Sequence, residues 1–286
     1  MPHYRRQFIN GEIYHITVRR IGNEILSGDE QDLLRLIYGI YEFNNKKPVS
    51  IARRRQQRAA FKKFKEAAIK EAAAKGLTLD IHVLGQPSYN SQLAATLIEP
   101  DKREKFVEVL AFALMPNHIH LLVRQLVDRG VSNYMQKFGS GYASWFKEKY
   151  EQKTNGKGKG KSKGHFFQDR FNAVHIEDDD QLRTVLVYIF TNPVALIEPG
   201  WKERGVANVE KSIHFLENDY RWSSYWDVLG KKNFPSITAK EMPFVLEIMG
   251  GAAGCKDAVD QWIKYKGELR RLLAKSFTMK LIEQLE

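Results

Sequence analysis

The stretch Met115–Arg124 reads MPNHIHLLVR and contains two histidines one residue apart at the start of an apolar run. Side chains of a β-strand point to alternate faces, so the run predicts a strand with two unlike faces. One face would carry His118, His120 and Leu122, and the other Ile119, Leu121 and Val123. The second set is wholly apolar and is typical of the core side of a sheet. The two imidazoles then lie side by side on the opposite side.

A hairpin is predicted around this strand. Val107–Leu114 is a second apolar run upstream, and the Met-Pro-Asn sequence between the two runs is a good turn. Two neutral imidazoles on one face can bind a divalent metal ion. Alternating histidines are more often part of a half-buried sheet face that binds nothing. The strand alone leaves both interpretations open.

A second element, Leu182–Pro193, reads LRTVLVYIFTNP and has its apolar residues at helical spacing. Tyr188 and Asn192 are four residues apart, so a helix places them one turn apart on one face. If this helix packs next to the histidine strand, His118, His120 and the Asn192 side-chain oxygen would form a metal site. The phenol of Tyr188 would lie beside the metal. Such a ligand set suits Mg²⁺ moderately and Mn²⁺ better. The alternative is that Tyr188 packs in the core and Asn192 caps the helix before proline.

Four motifs together resemble those of the single-tyrosine HUH transposases, in particular the REP-associated tyrosine transposases and the related IS200-like enzymes. In chain order they are MPNHIHLLVR (Met115–Arg124), GHFFQDRF (Gly164–Phe171), LVYIFTNPVALI (Leu186–Ile197) and DYRWSSYWDVLG (Asp219–Gly230). The resemblance implies that His118, His120 and Asn192 hold Mg²⁺ or Mn²⁺ and that Tyr188 attacks DNA.

The same resemblance implies an α+β fold with a ferredoxin-like antiparallel sheet and helices on one face. It implies cleavage of single-stranded or hairpin DNA through a 5′-phosphotyrosine, by a monomer or a homodimer. We expect a transposase domain over residues 1–197, with a helical insertion at about 46–100, and a helical accessory region over 198–286. A relaxase or rolling-circle initiator would share the metal and tyrosine. A catalytically silent DNA-binding protein derived from such a transposase is the other alternative.

Composition agrees with a nucleic-acid partner. The chain has 286 residues, with 45 Lys and Arg against 34 Asp and Glu, and a net charge of +11. Such a balance favours binding to a polyanion. The single cysteine, Cys255, excludes intramolecular disulfides. The sequence has no apolar run of membrane-spanning length, no export signal and no nucleotide-binding loop, so we expect a cytoplasmic protein independent of nucleotide cofactors. The resemblance further implies a bacterial protein associated with the nucleoid.

Two basic segments are candidate DNA contacts. Lys46–Gly76 predicts a cationic helix with a narrow apolar stripe, and Gln152–Gly164 predicts a polar loop. Each segment can equally be solvated surface. Arg170 is a separate candidate, because a guanidinium suits a phosphate. The other predicted DNA-contacting residues are Arg53, Arg54, Arg55, Lys62, Lys63, Lys157, Lys159 and Lys161.

Three further elements are predicted. Glu12–Arg20 is a central strand, whose His15 is a weak candidate for a third ligand. Gln31–Phe43 and Val131–Tyr150 are amphipathic helices. Tyr142, on the second of these helices, is the main rival to Tyr188 as nucleophile, although it lies in the apolar stripe.

Overall fold

A four-stranded sheet forms the centre of the computed structural model, which describes residues 7–48, 103–153, 165–168 and 170–283. Its strands are β1 (Ile13–Arg19), β2 (Val107–Leu114), β3 (His118–Gln125) and β4 (Asn172–Ile176). The strand order is β2-β3-β1-β4, and β1 pairs antiparallel with both β3 and β4. β2 and β3 form the predicted hairpin, in which the Met115 N–H donates to the His118 carbonyl at 2.8 Å.

Among the described residues, the strands and α-helices up to β4 follow the order β-α-β-β-α-β. Helix α1 (Glu30–Glu42) follows β1, and helix α2 (Gly130–Lys153) follows β3. With the two histidines on a central strand, this order and the strand order confirm the predicted ferredoxin-like antiparallel sheet. β4 is an addition to the prediction, since its sequence NAVHI was not recognised as a strand.

The rest of the described chain is helical. It comprises α3 (Asp179–Thr191), α4 (Trp201–Arg204), α5 (Val209–His214), α6 (Tyr225–Val228), α7 (Pro235–Thr238), α8 (Met242–Met249) and α9 (Gly251–Glu283). A 3₁₀ turn (Asn192–Leu196) continues α3, and a π-helical turn (Phe215–Asp219) continues α5. This confirms the predicted helical C-terminal region. No helix in the described ranges has both the length and the apolar character needed to cross a membrane.

Contacts divide the chain into two compact units. The first contains residues 1–26, 108–128 and 164–286, and the second contains residues 27–107 and 129–163. In the first unit a single apolar core joins the sheet to the C-terminal helices, with Leu110 and Leu122 from strands, Phe190 from α3, and Val259 and Ile263 from α9. The predicted domain boundary at residue 197 stays a prediction.

In the second unit α1 packs against α2. Gly141 of α2 lies so close to Phe43 that a Cβ atom there would stand 2.0 Å from the ring. The Asp32 carboxylate is fully buried, with Lys149 Nζ at 2.5 Å and the Tyr150 hydroxyl donating to it at 2.5 Å. A buried carboxylate requires such partners, because leaving one unpaired costs several kcal/mol, roughly 3–5.

A set of polar contacts that we call the Asn44 clamp joins the chain just after α1 to the chain just before β2. The Asn44 side chain accepts from the backbone N–H groups of Phe106 and Val107 at 2.9 and 3.1 Å, and donates to the Val107 carbonyl at 2.8 Å. The Lys46 N–H donates to the Glu104 carbonyl at 2.8 Å. The clamp therefore holds together the two ends of the segment 49–102.

Candidate active site

Strand register places the predicted histidines on one face with polar residues of β1. Thr17 is directly opposite His120, and Arg19 is opposite His118, across the antiparallel β1–β3 pair. His15 lies on the same face, and its ring stacks on that of His120 at 5.2 Å between centroids. The other face of β3 is apolar and buried, as the alternation predicts. The sheet therefore carries a cluster of imidazoles.

Helix α3 brings Tyr188 and Asn192 to this cluster. Asp178 caps the helix start by accepting from the Gln181 N–H at 2.7 Å, and α3 ends one residue before Asn192. The Asn192 N–H donates to the Tyr188 carbonyl, so the backbone of Asn192 does cap the helix. Its side chain is buried and lies with Nδ2 2.9 Å from His120 Nε2. The Tyr188 ring lies 5.5 Å from that of His120.

Hydrogen bonds assign the protons of the cluster. Asn192 Nδ2 is a donor, so the facing His120 Nε2 is an acceptor and His120 Nδ1 carries the hydrogen. His120 Nδ1 lies 3.0 Å from His15 Nε2, which therefore accepts from it. His118 Nδ1 lies 2.6 Å from Asn117 Oδ1, which makes Nδ1 the donor and leaves a lone pair on His118 Nε2. Partners of this kind fix the tautomer and orientation of a metal-binding histidine.

The imidazoles are held in their neutral form. Burial lowers the pKa of His15 to about 4, with a smaller contribution from the Lys202 cation. Burial also lowers the pKa of His118 to about 4, aided by Arg19 and Lys202. For His120, burial and then the neighbouring histidines hold the pKa well below its usual value. All three side chains therefore keep lone pairs at neutral pH, which metal binding requires.

A basic cavity of about 610 Å³ opens onto these residues. Its lining includes His118, His120, Tyr188 and Asn192, and also the cations Arg19, Arg170 and Lys202. Lys202 Nζ donates to the Tyr188 hydroxyl at 3.0 Å and to Asn192 Oδ1 at 3.4 Å. A cavity with several cations and a phenol suits a phosphodiester better than an apolar ligand.

Comparison with known proteins agrees with this geometry. Residues 86–192 match the family model described as "Transposase IS200 like". This segment is similar to the IS200-like transposases. It covers a little over a third of the chain and includes both histidines, Tyr188 and Asn192. The resemblance inferred from the sequence is thereby confirmed at the level of the family.

Among solved structures, the chain is similar to a REP-associated tyrosine transposase bound to a REP hairpin. The two are 15% identical, with 83% of this chain and 90% of that chain covered and a TM-score of 0.35. No curated protein matches the chain.

The side chains of the IS200-like segment that could bind a divalent cation are two neutral imidazoles and one amide. Among the described residues no group of three or more His, Cys, Asp or Glu side chains is placed to hold an ion. His118 and His120 could supply nitrogen ligands. Asn192 could supply a third ligand only through its amide oxygen, which accepts from Lys202 Nζ at 3.4 Å, whereas its amide nitrogen faces His120 Nε2. His15 is a different case, because it faces the nitrogen of His120 that points away from Asn192. His15 therefore supports His120 rather than adding a ligand.

The other tyrosines of α2 lie in the second unit and have structural contacts. Tyr142 is fully buried among aromatic rings, with Trp145 at 5.6 Å. Tyr134 is buried and donates to the Ile40 carbonyl at 3.1 Å, and burial raises its pKa. Tyr150 donates to Asp32. Tyr188, by contrast, is only half-buried and lines the cavity.

The predicted DNA contacts divide into two groups. Arg170 is exposed and lines the cavity. Arg53, Arg54, Arg55, Lys62, Lys63, Lys157, Lys159 and Lys161 lie outside the described residues. Sequence reasoning missed Lys202 and Arg19. Arg19 could have been found from its strand register, since it is two residues from Thr17 on the same face as the histidines.

Proposed function

We propose that the protein is a metal-dependent single-strand DNA endonuclease and strand transferase of the transposase type. The observation that carries the proposal is the meeting of four groups in one basic cavity: the Tyr188 hydroxyl, the imidazoles of His118 and His120, and the Asn192 amide. A nucleophile, neutral metal ligands and phosphate-binding cations are the groups that this reaction needs.

Tyr188 is the nucleophile in the proposed reaction. Its oxygen forms a bond to phosphorus, the phosphorus–O3′ bond breaks, and the phenol proton passes to solvent while the leaving 3′-oxygen gains a proton. The product is a 5′-phosphotyrosine and a free 3′-hydroxyl. Attack by a 3′-hydroxyl on the phosphotyrosine reverses the step, so joining conserves the bond energy and needs no nucleotide. Unassisted phenols are poor nucleophiles at neutral pH, because their pKa is about 10.

The surrounding groups bind and orient the phosphate. Arg19 and Arg170 lie at the cavity wall, where guanidinium groups can bind phosphate oxygens through two hydrogen bonds. His118, His120 and Asn192 would hold Mg²⁺ or Mn²⁺. When bound, the ion neutralises charge on the non-bridging oxygens and polarises phosphorus.

The proposed substrate is single-stranded DNA beside a hairpin. A nucleophile inside a cavity reaches a strand that is unpaired or extruded more readily than one in a duplex. The structurally similar transposase is named as bound to a REP hairpin, and a hairpin with a single-stranded flank is therefore the first substrate to test. The protein acts as a monomer or as a homodimer in this proposal.

A covalent-trapping assay tests the function. Purified protein is incubated with labelled hairpin oligonucleotides that carry single-stranded flanks, with Mn²⁺ or Mg²⁺, and then run on a denaturing gel. We expect an adduct that requires the metal ion. It should be lost in Tyr188→Phe, which removes only the hydroxyl, and strongly reduced in His118→Ala, which removes a ligand.

The matched control is Tyr142→Phe, which removes the hydroxyl of a tyrosine that lies in the core of the second unit. It should form the adduct as the wild type does. An adduct that persists in Tyr188→Phe would refute Tyr188 as nucleophile. Salt-dependent DNA binding without any adduct across a broad hairpin panel would instead support the catalytically silent DNA-binding protein.

A further inference from the structure

We propose that Lys202 is a further catalytic residue, which places a cation at the oxygen of the nucleophilic tyrosine. The inference rests on the proposed function. Lys202 Nζ donates to the Tyr188 hydroxyl at 3.0 Å and lies 4.3 Å from the centre of the Tyr188 ring. Lys202 therefore contacts the atom that would form the bond to phosphorus.

The C-terminal region fixes the position of this lysine. Trp201, the preceding residue, is buried in the shared core, and so it anchors α4. Lys266 of α9 donates from Nζ to the Lys202 carbonyl at 2.7 Å, and its own carbonyl accepts from the Val206 N–H at 3.0 Å. Gly205, at φ +74°, lies so close to α9 that a Cβ atom would stand 2.4 Å from the Lys266 carbonyl oxygen.

Among the described residues, no carboxylate neutralises the ammonium group of Lys202. Within the described ranges no Asp or Glu oxygen lies at ion-pair distance from it, although the adjacent Glu203 also lines the cavity. Its hydrogen-bond partners are the neutral Tyr188 hydroxyl and the Asn192 amide oxygen. The positive charge is therefore directed at the site itself, where a partly desolvated cation acts more strongly than in water.

This cation acts in both directions of the reaction. In the cleavage step the Tyr188 hydroxyl loses its proton to solvent and its oxygen attacks phosphorus. Lys202 stabilises the negative charge that develops on that oxygen. In the joining step the phosphorus–tyrosine bond breaks and the phenolate leaves, so the same hydrogen bond stabilises the leaving group. Removing Lys202 should therefore slow cleavage and joining by similar factors, and it should change DNA affinity much less.

A purely structural role for Lys202 makes a different prediction. If the lysine only holds Asn192 and the adjoining turn in place, its loss should disturb metal and DNA binding as much as the chemical step. The factor by which loss of the lysine slows cleavage should then also be independent of the pKa of the phenol at position 188. These differences can be measured in one set of variants.

The experiment measures single-turnover cleavage of saturating hairpin DNA, with Mn²⁺, by the full-length protein. Lys202→Met should cleave about 100-fold more slowly, the size of effect seen when one donor to a developing oxyanion is removed. Lys202→Arg, which keeps the charge, should recover to within about tenfold of wild type. Lys211→Met removes an exposed lysine of α5 that does not line the cavity, and it should leave the rate unchanged.

The second measurement replaces Tyr188 with a fluorinated tyrosine, whose phenol is more acidic, in the wild type and in Lys202→Met. If Lys202 stabilises the phenolate, the fluorinated protein should lose only about tenfold or less in cleavage rate when Lys202 is replaced. The reason is that the phenolate of a more acidic phenol depends less on stabilisation by the cation. If Lys202→Met folds poorly, Lys202→Gln, which also removes the charge, takes its place in both measurements.

Each outcome has a defined meaning. A normal rate in Lys202→Met, with the adduct still formed, overturns the role of Lys202 and leaves the proposed function standing. If Lys202→Met cleaves slowly and the fluorinated tyrosine does not change the size of that rate loss, the catalytic role of Lys202 is also overturned. The lysine then has a structural role. No adduct with wild-type protein overturns both the function and this inference.

Discussion

The buried imidazoles make the stability of the metal-free protein depend on pH. His15 and His118 each have a pKa lowered from 6.5 to about 4, chiefly by burial. Between these two values the unfolded chain binds more protons than the folded one, so stability rises with pH and is lost as the pH falls. The full stability is present above about pH 6.5.

The size of the effect follows from the shifts. One pKa unit corresponds to about 1.4 kcal/mol, so lowering the pH from 7 to 5 should cost about 2 kcal/mol for each of the two histidines. His120 is shifted in the same direction and adds to the loss. The total of about 4 kcal/mol or more is a large part of the free energy of unfolding of a typical domain, which is about 5–15 kcal/mol.

The assay is urea unfolding at pH 7 and pH 5 in the presence of a chelator, because bound metal would add a pH dependence of its own. His15→Gln should reduce the difference between the two pH values by about 2 kcal/mol. The control is Thr184→Ala, which changes an exposed residue of α3 that has no titratable side chain and should keep the wild-type difference. If His15→Gln retains the full wild-type difference, the reasoning from burial is wrong.

Three further predictions concern other contacts. Lys149→Met should lower the free energy of unfolding by about 3 kcal/mol, measured by urea titration, because it leaves the buried carboxylate of Asp32 without its cation. Gly141→Ala should lower it by about 1–3 kcal/mol in the same assay, because the new methyl group meets the buried Phe43 ring. Arg170→Ala should reduce the slope of log K against log salt for hairpin DNA by about 1, measured by fluorescence anisotropy, if this residue binds one phosphate.

Two of these predictions have a matched control. Ser140→Ala changes an exposed neighbour of Gly141 on the same helix and should keep wild-type stability. Arg183→Ala removes an exposed arginine of α3 that does not line the cavity, and it should keep the salt slope. Wild-type stability in Lys149→Met would mean that the Asp32 charge is compensated by other groups.

Local patterns were enough to predict the parts of the fold whose two faces differ in polarity. The alternation in β3 correctly placed Ile119 and Leu121 in the core and the histidines on the opposite face. The four-residue spacing of Tyr188 and Asn192 correctly placed both on one side of α3, within reach of His120. These signals are reliable because helix and strand periods are fixed by backbone geometry.

Features that depend on distant partners could not be predicted in this way. β4 has only five residues, and it is a strand because Asn172 and Val174 pair with β1, more than 150 positions earlier in the chain. Lys202 lies in a four-residue helix with no pattern of its own, and Lys266 on α9 holds it in place. No local sequence signal carries such information.

The Asn44 clamp makes residues 49–102 a candidate position for replacing one segment of the chain with another. Lys47 and Glu104 lie on either side of residues 49–102, and an ion pair of 2.8 Å joins these two residues. For a flexible connection between fixed ends, doubling the length adds only about 0.6 kcal/mol to the cost of closure. We expect a protein in which a short Gly/Ser linker replaces residues 49–102 to keep its fold, and cooperative urea unfolding would show this. In contrast, Asn44→Ala should lower the free energy of unfolding by about 2–3 kcal/mol, because three buried hydrogen bonds are lost. A chosen domain could be inserted at this position by design, with the contacts of the Asn44 clamp left in place.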